Sequence, residues 1–272
     1  MKTLFALIFT ILFSPFNNFA GDFRSHVYHE NFDGGVYVFA DNDEYCPVSI
    51  LITFELANME STEGNNKVFL IPARTKRFFI ADLKVLDTYA AYKLRYSTRT
   101  QYGNAEQTNF DKDIVYWLPY KTGSTYKLFQ GYNGKQTHQG INALDFSLTE
   151  GNEIHAARKG VVVKVVQQNS KHCSQPECAK LNNFILIYHE DGTFASYAHL
   201  QQNGAQVIEG DIVNQGQLIA LSGNVGRTDG PHLHFEVFLQ QLEKRTTIQT
   251  YFLTTEGKKE VLKEGSEYTK NY

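Results

Sequence analysis

Along most of this chain, apolar residues recur at every second position in short runs and almost never at helical spacing. In the first half, Val48, Ile50, Ile52, Phe54 and Leu56 alternate with Ser49, Leu51, Thr53 and Glu55. Period two over that length predicts a half-buried strand. Shorter runs at 36–39, 68–71, 77–80, 92–96 and 114–118 predict further strands, separated by turn clusters such as Asp41, Asn42 and Asp43, or Glu63, Gly64, Asn65 and Asn66. About seven strands at this spacing predict a small immunoglobulin-like β-sandwich over residues 21–125. From 111 to 134 the pattern breaks around Leu118, Pro119, Tyr120, Lys121, Thr122 and Gly123, and we set the domain boundary near residue 125.

The second half, residues 126–240, repeats the alternation with ionisable residues on one face. His232, His234 and Glu236 point one way, and Leu233, Phe235 and Val237 the other. Around Asp145 the same arrangement holds, with Ala143 and Ser147 on its face and Leu144, Phe146 and Leu148 opposite. Strands are also expected at 154–157, 161–166, 184–189 and 194–200; in the last, Tyr197 and His199 should share a face. Residues 209–220 read as two short strands about a glycine turn. No periodic helix of useful length is visible, so the fold class is all-β throughout. The tail, 241–272, is more polar; 247–254 is expected to add an edge strand.

Composition narrows the function. The chain has 272 residues, 42% of them hydrophobic, and a net charge of −3 without a basic run, which argues against nucleic acid as a partner. Lys2, the apolar run 4–13 and the small residues ending at Ala20 read as an export signal over residues 1–20. The run is too short to span a bilayer, so no stable membrane insertion is expected after signal removal. Of three cysteines, Cys173 and Cys178 flank a turn-forming insert and either close a small disulfide loop or form half of a metal knuckle. Cys46 is left over, either buried as a small apolar residue or exposed as a free thiol.

The chemistry lies in the histidines and Asp145. His138, Asp145 and His234 supply two imidazoles and one carboxylate, a set suited to Zn²⁺ with an open position for water, and His199 and His232 remain to handle protons. Zinc brings bound water toward a pKa of ~7 and polarises a carbonyl, which suits amide hydrolysis. The same triad also suits non-haem iron, a reading that leaves His199 and His232 without a role. A single histidine in a β-domain is more often a structural residue than a ligand; three segments that each set an ionisable group opposite an apolar face are not explained by packing. His26 and His29 read as solvated, and His155, His172 and His189 as surface or turn residues. Tyr197 is either a hydroxyl for the reacting carbonyl or an ordinary sheet aromatic, and Glu236 is expected to orient a ligand.

The span 138–238 resembles the lysostaphin/LytM-type zinc metallopeptidases, which cut peptide cross-links in bacterial peptidoglycan. The resemblance rests on His138, Gln139 and Gly140 with Asp145 and Phe146; Gly151; the run from Ala156 to Val162; Ser196 to Leu200; Gly210 to Ile219; Ser222 to Gly226; and Gly230 to Glu236. It implies an antiparallel β-sheet with the site in a groove across it, zinc held by His138, Asp145 and His234, and His199 and His232 as the catalytic pair. It further implies an exported endopeptidase, periplasmic or secreted, acting on stem-peptide cross-links of D,D type. Protein partners are left open. A relative that binds wall material or activates a separate amidase without catalysis is the alternative, though such relatives usually lack some ligands. One departure stands out. Six residues separate His138 from Asp145 where the family commonly has three, and Asn142 takes the usual aspartate position. We read three residues inserted in the connecting turn.

Overall fold

The computed structural model describes residues 23–242 and 244–272; the expected export signal at 1–20 lies outside the described residues. Among the described residues nearly every regular element is a strand, and the helical segments are two 3₁₀ turns. No helix among the described residues is long and apolar enough to cross a membrane.

The front unit is a sandwich of two antiparallel sheets. One joins Ser25–Phe32, Gly35–Asn42, Thr75–Val85 and Met59–Ser61 in that spatial order; the other joins Lys67–Ile71, Val48–Ala57 and Lys93–Tyr102. The alternation read at 48–56 holds: Val48, Ile50, Ile52 and Phe54 are buried against Val36, Val38, Ala40, Ile71 and Leu83. The strand order differs from the immunoglobulin pattern. Here the third strand is central in the smaller sheet, between the fifth and seventh, whereas a constant-type domain pairs its third, sixth and seventh strands with the sixth in the middle. Alternation determines which face of a strand is buried and leaves its partners undetermined. His26 and His29 lie in the first strand, and His26 is exposed near Asp41.

The rear unit is organised by one nine-stranded antiparallel sheet. Its order runs Ile212–Val213, Gly160–Val166, Phe184–Tyr188, Phe194–Ala198, Leu233–Gln240, Ala143–Phe146, Thr125–Gln130 and Glu267–Thr269, with Arg245–Ile248 also paired to Leu233–Gln240. The tail is thus built into the sheet twice. Leu144, Phe146, Ile185, Ile187, Tyr197, Leu233, Phe235 and Val237 project from one face into a core shared with Tyr116, Leu118, Tyr120, Ile154, Ile219 and Phe252. Residues 115–120 therefore pack with the rear unit. Val115–Trp117 pairs in parallel with Tyr251–Leu253.

The opposite face carries Asp145 and His234 at one end and Leu186, Phe194 and Phe238 at the other, about 13 Å along the strand from His234 to Phe238. The sandwich covers that second end. Phe238 and Phe194 stack with their ring centres 5.6 Å apart and belong to the sandwich's own core. Each such ring withdrawn from water is worth about 1.5–3 kcal/mol. Gly103 packs against this stack: its φ is +74°, and a Cβ there would meet the Phe194 ring at 2.9 Å. Arg24 adds a polar clasp, bonding Glu44 at 2.8 Å and Glu209 of the rear unit at 3.0 Å.

Candidate metal centre

The strand Leu233–Gln240 is buried on both faces, so the alternation of His234 and Glu236 with Leu233, Phe235 and Val237 sorts two covered faces. Antiparallel register places Asp145 directly opposite His234 on the neighbouring strand. His234 Nδ1 lies 2.9 Å from Asp145 Oδ1. His138 comes from the loop preceding Ala143–Phe146, and its Nε2 is 3.2 Å from Asp145 Oδ2. One ligand atom from each of the three lies within 4.8 Å of the others, and all three residues are buried.

The loop with the lengthened spacing is pinned at both ends. Asn133 Oδ1 accepts the Gly140 N–H at 2.7 Å. Asn142, at the family's aspartate position, turns its amide to the Thr247 carbonyl at 2.9 Å and gives its backbone N–H to Thr247 Oγ1. It is a strut, and Asp145 is the carboxylate that meets the histidines.

The donor set fits a cation. His138 Nε2 is fully buried and makes no hydrogen bond, although it stands beside a carboxylate oxygen. A buried nitrogen left so would cost about 1–3 kcal/mol, which a shared ion removes. Nδ1 of the same ring lies 3.0 Å from the Gly131 carbonyl, fixing the ring so that Nε2 faces the centre. Burial opposes ionisation of Asp145, but the two imidazoles outweigh it and hold the carboxyl well below its usual range. Burial likewise works against a proton on His234, yet Asp145 prevails and raises its pKa. Two imidazoles and one carboxylate make a zinc set.

His199 and His232 stand beside this trio with ring centres 4.4 Å apart. His232 Nε2 is 3.8 Å from Asp145 Oδ1. Each ring turns Nδ1 to a backbone carbonyl: His199 to Val225 at 2.8 Å, His232 to Gly230 at 2.9 Å. A carbonyl accepts only, so Nδ1 carries the hydrogen and the Nε2 lone pair remains for chemistry. Burial, with the neighbouring His232 and His234, takes His199 down to about 3, and burial also lowers His232. Both are neutral bases.

The structure corrects some expectations and decides between others. Simple alternation puts His199 on the Tyr197 face, but His199 adopts a left-handed φ of +63°. The strand ends at Ala198, and the turn swings the imidazole to the His234 side while Tyr197 stays in the opposite core. Tyr197 is a sheet aromatic: its hydroxyl accepts the Ala157 N–H at 2.8 Å. Glu236, expected to orient a ligand, has an ion-pair partner of its own. It pairs with Arg245, whose guanidinium lies 3.9 Å over the Phe238 ring. His189 is buried rather than at the surface, bonded through Nδ1 to the Lys159 carbonyl. Cys173 and Cys178 form a disulfide and no metal knuckle, and Cys46 is buried as a free thiol.

Gln130 escaped the sequence reading. Its amide donates to Asp145 Oδ2 at 2.7 Å and to Thr137 Oγ1. Only pairing of its strand with Ala143–Phe146 brings it there, and no local motif signals that. Phe129, exposed, sets its ring edge-on to His232 at 5.4 Å.

The model of peptidase family M23 matches residues 136–246. Among curated relatives, the peptidoglycan DD-endopeptidase ShyA of Vibrio cholerae is 28% identical over 127 residues, 44% of this chain and 27% of that protein. Lysostaphin of Staphylococcus simulans is 31% identical over 133 residues, 48% of this chain and 24% of that protein. The match thus spans about a quarter of the length of these relatives. Among solved structures, the catalytic domain of lysostaphin from Staphylococcus simulans aligns at a TM-score of 0.33 and 27% identity, covering 45% of this chain and 82% of that one. The family match runs from the loop carrying His138 to the strand that follows Leu233–Gln240 and contains all five site residues. Residues 136–246 thus match peptidase family M23 and hold all five site residues.

Proposed function

We propose that this protein is an exported zinc endopeptidase that hydrolyses peptide cross-links of bacterial peptidoglycan, of D,D type, in the periplasm or outside the cell. The observation that carries the reading is the convergence of His138, Asp145 and His234 within 4.8 Å beside two imidazoles with parallel tautomers. Similarity to named peptidoglycan DD-endopeptidases supports the substrate class, and the leader at 1–20 supports export.

His138, Asp145 and His234 would hold zinc, which when bound lowers the pKa of water and polarises an amide carbonyl. Gln130 and the Gly131 carbonyl keep Asp145 and His138 turned inward. His199 and His232, with ring centres 4.4 Å apart, each leave Nε2 unprotonated. One takes the proton as the nucleophile adds to the carbonyl, and the same or the other returns it to the departing amine. With Nδ1 of each bound to a carbonyl, neither ring can flip without losing that hydrogen bond.

The test is digestion of purified peptidoglycan with and without a chelator, and with His232→Ala, with mass analysis of fragments released from defined muropeptides. Chelation and His232→Ala should each abolish release. A purified protein that binds no zinc and cuts neither peptidoglycan nor glycine-rich peptides would end the enzyme reading.

A further inference from the structure

The Cys173–Cys178 disulfide touches no group used above, yet the segment it closes braces the loop that orients both proton-handling imidazoles. Five positions apart in sequence, the two cysteines staple the short strand His172–Cys173 to the 3₁₀ turn Pro176–Leu181. That strand pairs in parallel with Gly226–Arg227. Gly226 N–H donates to the Lys171 carbonyl at 2.9 Å, and Thr228 N–H to the Cys173 carbonyl at 3.1 Å.

The residues on either side of this pairing hold the two rings. Val225, just before it, supplies the carbonyl for His199 Nδ1. Thr228, just after it, places its Oγ1 3.3 Å from His232 Nδ1 and donates to the Gly230 carbonyl that this ring also contacts. A third contact comes from the far end of the stapled segment. Asn182, next after the turn, accepts the backbone N–H of His199 through Oδ1 at 3.1 Å, at the residue whose φ is +63°. Packing there is tight: a Cβ on Gly226, whose φ is +93°, would lie 2.8 Å from the Asn182 Cα.

We propose that the disulfide-closed segment 171–182 is a positioning element for catalysis, holding loop 223–230 so that His199 and His232 both keep Nε2 turned to the metal centre. The proposal rests on the endopeptidase reading for its consequence in turnover but not for its geometry. Nothing in the segment supplies a metal ligand, so its loss should spare zinc binding and act on kcat.

The experiment compares the zinc-loaded full chain with Cys173→Ser/Cys178→Ser and with Gly226→Ala, which keeps the disulfide but forces the loop off Asn182. Readouts are zinc stoichiometry, kcat and KM on peptidoglycan fragments, and the imidazole nitrogen spectra of His199 and His232. Both variants should keep one zinc, lose about tenfold or more in kcat with KM within about twofold, and lose the slowly exchanging Nδ1–H signals. Unchanged kcat and unchanged spectra would overturn the proposal, as would loss of zinc in step with activity, which means general loosening. If the double serine variant does not fold, Gly226→Ala decides alone. Should the native protein cut no peptidoglycan, the endopeptidase reading falls, while the nitrogen spectra still decide the positioning.

Discussion

His189 should make this protein acid-sensitive by an amount that can be worked out. Its ring is wholly buried, with Nδ1 2.8 Å from the Lys159 carbonyl and the Tyr116 ring edge-on at 5.9 Å. Burial, and next the nearby Arg158 guanidinium, push its pKa down from 6.5 to about 4. The unfolded chain, with an ordinary imidazole, therefore binds a proton between pH 6.5 and 4 that the folded chain refuses. Stability is complete above pH 6.5 and drains away as pH falls toward 4. At about 1.4 kcal/mol per pH unit the full loss is roughly 3 kcal/mol, most of it reached by pH 4.5. His189→Asn keeps a donor near Nδ1 and removes the titration. Urea unfolding of both proteins at pH 7.5 and 4.5 isolates the effect, because acid effects at the metal centre are common to both. The variant should start about 1–3 kcal/mol less stable from the space it opens, and the gap should shrink or reverse by roughly 2–3 kcal/mol at pH 4.5. Curves that stay parallel to within about 0.5 kcal/mol would refute the reasoning.

Other outcomes follow from the same geometry. Gln130→Leu removes the amide on Asp145 Oδ2 and should weaken zinc binding about 10–100-fold in a chelator competition, with the fold retained. His199→Ala should keep zinc yet lower kcat by about 10²–10⁴-fold; loss of metal instead would make it a ligand. Asp145→Ala should abolish stoichiometric zinc binding by metal analysis. Arg245→Met strands Glu236 as a buried charge beside the apolar Phe238 and should cost about 3–5 kcal/mol in thermal or urea unfolding.

Strand content was largely legible in the chain because alternation is a local property. The runs at 48–56 and 233–237 state which side chains turn to a core, and the structure puts them there. The two imidazole and carboxylate segments were legible for the same reason: each breaks an apolar rule on one face only. Longer-range pairing was not. Whether the third strand of the sandwich sits at the centre or edge of its sheet, and that the tail returns to pair with Leu233–Gln240 and Thr125–Gln130, depend on contacts between residues far apart in sequence.

The sequence by itself determined the β character of both units and marked His138, Asp145 and His234 as candidate metal donors, since alternation and residue type are read within each segment separately. Only the tertiary structure decided that Asp145 faces His234 across a ladder, that a left-handed residue turns His199 away from Tyr197, and that Glu236 pairs with Arg245. Register, a single positive φ and the choice of ion partner are set by packing among segments up to about ninety residues apart. No local pattern encodes such separations, because the energy that selects them arises only when the whole sheet is assembled.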